Sequence, residues 1–158
     1  RHLGLELHLV TRDRLPPEPG VFVYNNLEAN SQPLKDLYHT CDIFALPTLG
    51  DCLPMVLSEA GASGMAIIST DVAAIPEFVR NGETGLTVPA DDAASLTQAL
   101  RDLATNPAFR MLLGERAMAH ASRHYDALTN ANRLLGLLKA EANAARADRP
   151  AASTERYA

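Results

Sequence analysis

Four short strand-like segments, Val21–Tyr24, Ile43–Leu46, Met65–Ser69 and Gly85–Val88, recur along the chain, each followed by a stretch with helical spacing. That alternation constrains the fold more than any other feature. A helix between two strands lets the chain return to its starting edge, so successive strands run the same way. Met65-Ala66-Ile67-Ile68-Ser69 is continuously apolar, as a parallel strand covered on both faces must be. The predicted fold is α/β, with a doubly wound, mostly parallel sheet.

In chain order, Leu3 to Thr11 alternates Leu5, Leu7 and Leu9 against Glu6 and His8, a strand on which His8 faces outward as an ordinary surface residue. Pro16, Pro17, Pro19 and Gly20 mark a loop, and Asn25-Asn26 marks the end of the next strand. A short helix from Pro33 to Thr40 buries Leu34, Leu37 and Tyr38. Later, Pro76 starts a helix that ends near Arg80, and Asp91 or Asp92 caps one that runs to about Ala104. Capping also accounts for the Asp91-Asp92 pair better than a metal site does. Asn106-Pro107 opens a helix burying Phe109, Leu112, Leu113 and Ala117 and ending near His124. His120 and His124 on it are four apart, a spacing that can bind zinc, but no Cys, Asp or Glu pattern joins them. From Asp126 to Arg146, Leu128, Ala131, Leu134, Leu135 and Leu138 again have helical period, an apolar stripe expected to fold onto its own domain or to pair with another copy. Residues 1–146 form the expected domain, and 147–158 a disordered tail.

The stretch from Asp42 to Gly64 carries the chemistry. Its strand (Ile43 to Leu46) leads to a turn with Asp51, then to a helix starting at Leu53 or Pro54 whose buried face is Leu53, Val56, Leu57 and Ala60. Met55 and Glu59 share a flank. Unpaired N–H groups and the positive end of the dipole converge at such a helix start, which suits a phosphate. Glu59 sits about 7 Å up the axis, at roughly 1.5 Å per residue. Two carboxylates so separated do not easily share a proton or a metal, but they can hold hydroxyl groups at the two ends of a diphosphate. Spacing alone equally allows Asp51 to be a helix cap and Glu59 a solvated or salt-bridged residue.

Asp51, seven residues, then Glu59-Ala60, after Leu46-Pro47-Thr48, resembles the E-x7-E motif of family 4 (group 1) retaining glycosyltransferases. Leu37-Tyr38 with Cys41-Asp42, Ser63-Gly64 through Thr70-Asp71, Ile75-Pro76-Glu77, and Asn81-Gly82-Glu83-Thr84-Gly85-Leu86 are similar to further segments of that family in the same order. The resemblance covers about Val21 to Leu103. It implies the C-terminal, Rossmann-like half of a GT-B fold, a UDP-, GDP- or ADP-sugar as donor, and retaining transfer to an acceptor hydroxyl without a divalent metal or other cofactor. By the same resemblance Asp51 holds hydroxyls of the transferred sugar and Glu59 the ribose hydroxyls. Backbone amides of Cys52, Leu53, Met55 and Val56 face the sugar and diphosphate, and Tyr24, Asn25 and Asn26 lie near the base, where a turn role competes for the asparagines. An N-terminal domain preceding Arg1, with an Arg and a Lys for the diphosphate and the acceptor site, is expected to complete the enzyme, and the isolated fragment to be inactive.

The chain departs from the family pattern in three places. Asp51 stands where the family has Glu, shortening the side chain by one methylene. Cys52-Leu53-Pro54 replaces Gly-Phe-Gly, and Pro54 lacks an N–H. Ala73 and Ala74 occupy a loop where glycine is usual. A degenerate, non-catalytic nucleotide-binding or assembly module is the alternative these departures raise. The nucleotide half of an epimerase or phosphorylase is less favoured by the motifs.

Composition narrows the partners. A chain of 158 residues supplies one sizeable core, and a net charge of −5 with scattered Lys and Arg argues against nucleic acid. The two cysteines, Cys41 and Cys52, have neither metal-ligand spacing nor a disulfide framework. No apolar run approaches a membrane span. A soluble protein of a reducing, cytoplasmic compartment is expected, with peripheral membrane association open to the full enzyme.

Overall fold

The computed structural model describes residues 4–147. Strand β1 (Leu7–Val10) leads through a loop to β2 (Val21–Tyr24), and helices α1 (Gln32–Thr40), α2 (Met55–Ala62) and α3 (Ile75–Phe78) then join β2 to β3 (Ile43–Leu46), β3 to β4 (Ala66–Thr70) and β4 to β5 (Leu86–Val88). Helices α4 (Ala93–Thr105), α5 (Pro107–His124) and α6 (Ala127–Ala147) follow. Every strand pairing is parallel, as the alternation predicted. The strands form two open sheets, β1-β2 and β3-β4-β5, with no ladder between β2 and β3.

Strand β4 lies at the centre of the larger sheet, and all five of its residues are buried. Side chains alternate across a strand. Ala66 and Ile68 therefore share one face, where they pack with Val88 and with Ala99, Leu103 and Leu113 from α4 and α5. Ile67 and Ser69 point the other way. Leu57 and Ala60 of α2 and Ile75 and Phe78 of α3 are fully buried as well. Each large side chain removed from water contributes about 1.5–3 kcal/mol.

The polar groups inside this core are satisfied. Ser69 Oγ donates to the Leu46 carbonyl (2.9 Å) and Thr70 Oγ1 to that of Thr48 (2.8 Å), which stitches the end of β4 to the end of β3. Thr84 Oγ1 donates to the Phe78 carbonyl (2.6 Å) and accepts the Arg80 N–H (2.9 Å). That capture ends α3 at Phe78, two residues before the expected Arg80. Among the described residues no buried side-chain polar atom lacks a partner.

Several expectations need correction. The first strand begins at Leu7, and Leu3 lies outside the described residues. His8 is not a plain surface residue: its ring stacks on Phe22 (centroids 4.9 Å apart) and Tyr24 (5.8 Å), and its Nδ1 lies 3.0 Å from the Tyr24 hydroxyl. Parallel register explains this, because His8 stands opposite Phe22 and shares its face of the sheet. Leu112 is 40% exposed, since α5 turns Leu113, Ala117 and Ala121 inward instead. His120 packs edge-on against Phe78, with ring centroids 5.4 Å apart.

Glycines permit the closest approaches. A Cβ on Gly114 of α5 would overlap the backbone carbonyl of Gly64, and one on Gly85 would lie 2.6 Å from the Ile67 carbonyl oxygen. Gly64 itself has φ +78°, the left-handed conformation that ends the α2 turn.

Residues 124–147 form a separate unit. Asp126 Oδ1 accepts the Thr129 N–H at 2.7 Å at the start of α6, and Leu128, Leu134, Leu135, Leu137 and Leu138 are exposed. The expected disordered tail falls, apart from Ala147, outside the described residues.

Two outcomes follow from this packing. Gly114→Ala should destabilise the protein by about 1–3 kcal/mol, the usual cost of overpacking, measured by urea denaturation. Asp92 caps α4 by accepting the Ser95 N–H (2.9 Å) and the Ser95 hydroxyl (2.6 Å). These bonds hold its carboxyl below the usual range, so the stabilisation is complete above about pH 4 and fades as pH falls through the lowered value. Asp92→Ala should lower the melting temperature at pH 7, and that effect should shrink as pH falls below the ordinary carboxylate range.

Candidate functional site

The loop from 47 to 54 leaves β3 at the carboxyl edge of the sheet, where ligands bind in open parallel folds. It is fastened at two points. Thr48 receives the Thr70 hydroxyl, and the Cys52 carbonyl accepts the Ala74 N–H at 3.0 Å. The second bond ties the β3–α2 loop to the β4–α3 loop. Ala73, beside it, has φ +48°, a left-handed conformation that costs a side-chain-bearing residue roughly 1–2 kcal/mol. That backbone is the one a glycine would relieve, although the residue is alanine.

Helix α2 begins at Met55, with Pro54 as its N-cap and no side-chain cap. The expected start at Leu53 or Pro54 is thus one or two residues early. Proline cannot donate an N–H, but its carbonyl accepts from Leu57 N at 3.1 Å, a bond between residues three apart that closes the first turn in the tighter 3₁₀ manner. The turn is open to solvent: Asp51 and Cys52 are exposed, and so are Leu49 and Met55 at 73% and 77%. Leu53 and Val56 are partly covered, and Leu57 and Ala60 form the buried face.

Glu59 is the fifth residue of α2 and lies on its exposed flank. Its Oε2 accepts a hydrogen bond from the Tyr38 hydroxyl of α1 at 3.1 Å. The Tyr38 ring leans on Phe44 of β3, with centroids 6.1 Å apart. Burial first, and then the Glu59 charge and the hydrogen bond to it, push the Tyr38 phenol far above its ordinary value, so it stays a donor. Glu59 and Tyr38 line a cavity of about 200 Å³ with Asn30, Leu34, Lys35, His39 and Ser63. A typical small-molecule site is roughly 300–1,000 Å³, so this volume suits part of a ligand.

The other predicted residues are placed apart from this cavity. Asp51, Cys52, Leu53, Met55 and Val56 belong to the loop and the helix start, and none of them lines it. Tyr24 is engaged with His8, and Asn25 Nδ2 donates to the carbonyls of Thr11 (3.0 Å) and Asp13 (2.7 Å), the turn role allowed for it. Cys41 and Cys52 are free thiols, and burial pushes that of Cys41 up. Among the described residues no three His, Cys, Asp or Glu side chains converge, and no helix is long and apolar enough to cross a membrane. Sequence periodicity identified Tyr38 only as a core residue. Its need for a hydroxyl partner was the available signal, because a tyrosine packed by its ring must still satisfy its O–H.

Comparison with known proteins gives this geometry a family. Residues 5–106 match the family described as Glycosyl transferases group 1. A D-inositol 3-phosphate glycosyltransferase from Corynebacterium efficiens is 31% identical over 149 residues, covering 94% of this chain and 32% of that protein. Among solved structures, sucrose-phosphate synthase from Thermosynechococcus elongatus superposes with a TM-score of 0.72 at 25% identity, covering 80% of this chain and 31% of the other. HepE from Anabaena, solved in complex with UDP-glucose, gives 0.71 at 18% identity, covering 78% and 33%. The chain thus spans about a third of the length of these proteins. It belongs to the group 1 glycosyltransferases and has the fold of the C-terminal half of their GT-B architecture.

Proposed function

We propose that the chain is the donor-binding half of a retaining glycosyltransferase, taking a UDP-, GDP- or ADP-sugar and serving transfer to an acceptor hydroxyl without a metal. One observation carries this: Glu59 stands beside a cavity one helical turn from an uncapped helix start at the carboxyl edge of a parallel sheet. Family membership and the UDP-glucose bound to the similarly folded HepE support it.

In this reading Glu59 accepts the ribose hydroxyls. The amides of Cys52, Leu53, Met55 and Val56 face the sugar and diphosphate, and Asp51 holds sugar hydroxyls. Negative charge grows on the departing diphosphate during transfer, and the α2 dipole with its unpaired N–H groups stabilises it electrostatically. Tyr24 and Asn25 flank the base end. Acceptor, cationic partners for the diphosphate, and hence activity, come from a second domain, so the 158-residue chain binds donor without turning it over. The reaction would proceed in the cytoplasm, with residues 126–146 offering an apolar stripe for self-association.

A second reading, a nucleotide-binding or assembly module without activity, is favoured by Asp51 and Pro54 in place of the family's Glu and Gly. Asp51 is a methylene short, and Pro54 supplies no N–H.

Calorimetric titration with UDP, GDP, ADP and their glucose conjugates separates the two. One nucleotide should bind, and Glu59→Ala should weaken it at least tenfold, the equivalent of about 1.4 kcal/mol, since a hydrogen bond to a charged group contributes about 1.5–3 kcal/mol. Asp51→Ala should weaken the sugar nucleotide but not the free diphosphate. Equal loss for both ligands would remove Asp51 from the sugar site.

A further inference from the structure

We infer that Tyr38 is a positioning residue for the donor: it fixes the Glu59 carboxylate by occupying one oxygen, so that the other is presented to the ribose hydroxyls. The inference rests on the donor-site reading above and adds a residue on a different helix.

A glutamate on the exposed flank of a helix ordinarily samples several rotamers, and holding one costs side-chain entropy. Here α1 supplies the restraint. The Tyr38 hydroxyl donates to Oε2 at 3.1 Å, and its own direction is set by the ring leaning on Phe44 and by the partial burial of Tyr38. Ser63 Oγ donates to the Glu59 backbone carbonyl at 3.1 Å, so side chain and backbone are both held. A carboxylate has about four acceptor positions, and one donor on Oε2 leaves Oε1 free to accept from a vicinal diol. The cavity that Tyr38 and Glu59 share, about 200 Å³, is smaller than the roughly 300–1,000 Å³ of a whole small-molecule site, so it takes part of a ligand. Lys35 and His39 line the same space from the Tyr38 helix, so α1 forms one wall of the site and α2 the other.

The test compares UDP, GDP and ADP with their 2′,3′-dideoxy counterparts on the 158-residue chain, by calorimetry or by NMR titration. The unsubstituted chain should prefer the ribonucleotide. Tyr38→Phe keeps the ring and the fold, and should reduce that preference about fivefold while leaving the dideoxy affinity and the melting temperature unchanged. Ultraviolet titration should show the Tyr38 phenol ionising at lower pH in Glu59→Gln. Full ribose preference in Tyr38→Phe, or equal weakening of both ligands, would overturn the positioning role alone. A chain that binds no nucleotide, or one that ignores the ribose hydroxyls, would overturn the donor reading and this role with it.

Discussion

The burial of β4 is the constraint on which the larger sheet depends. A strand with five consecutive buried residues needs neighbours on both edges and helices on both faces. β3 and β5 supply the edges, and α4 and α5 close one face with Ala99, Leu103 and Leu113. Its last two residues are polar, and their hydroxyls reach the carbonyls of Leu46 and Thr48. These bonds place the end of β3 beside the end of β4. The loops that leave the two strands therefore emerge side by side, already joined by the bond from Ala74 to Cys52.

The functional geometry is a consequence of that edge. Helix α2 starts where the joined loops meet, and its buried face, Leu57 with Ala60, fixes its rotation about its axis. Once that face is inward, Glu59 must face outward on the flank toward α1. There it meets Tyr38, a residue 21 positions earlier, which no local pattern could have paired with it. The helix start is left without a side-chain cap because Pro54 occupies the N-cap. An arrangement that lacks an internal partner for its first amides is compatible with an external anion.

Small residues make these approaches possible. Gly61 of α2 lies against the Phe78 ring, and Gly114 of α5 against the Gly64 turn, so a methyl group at either position would meet occupied space. Ala73 is an exception in kind, a side-chain-bearing residue held at positive φ in the loop bonded to Cys52. Strain of this sort persists only where its surroundings over-determine the backbone. Here the Ala74 N–H bond and the buried Ile75 on its far side do so.

Sequence by itself determined the order of strands and helices, the parallel pairing and the ordered motifs of the family. Those properties follow from hydrophobic periodicity, turn residues and spacing, which are local and survive in one dimension. A cap for α4 at Asp91 or Asp92, which the structure assigns to Asp92, and the left-handed Gly64 were legible for the same reason. Only the tertiary structure decided which groups meet. The stacking of His8 on Phe22 depends on strand register, the outward turn of Leu112 on how α5 rotates, and the grip of Tyr38 on Glu59 on the packing of two helices against one sheet. Contacts between distant segments are set by three-dimensional packing, and no spacing along the chain encodes them.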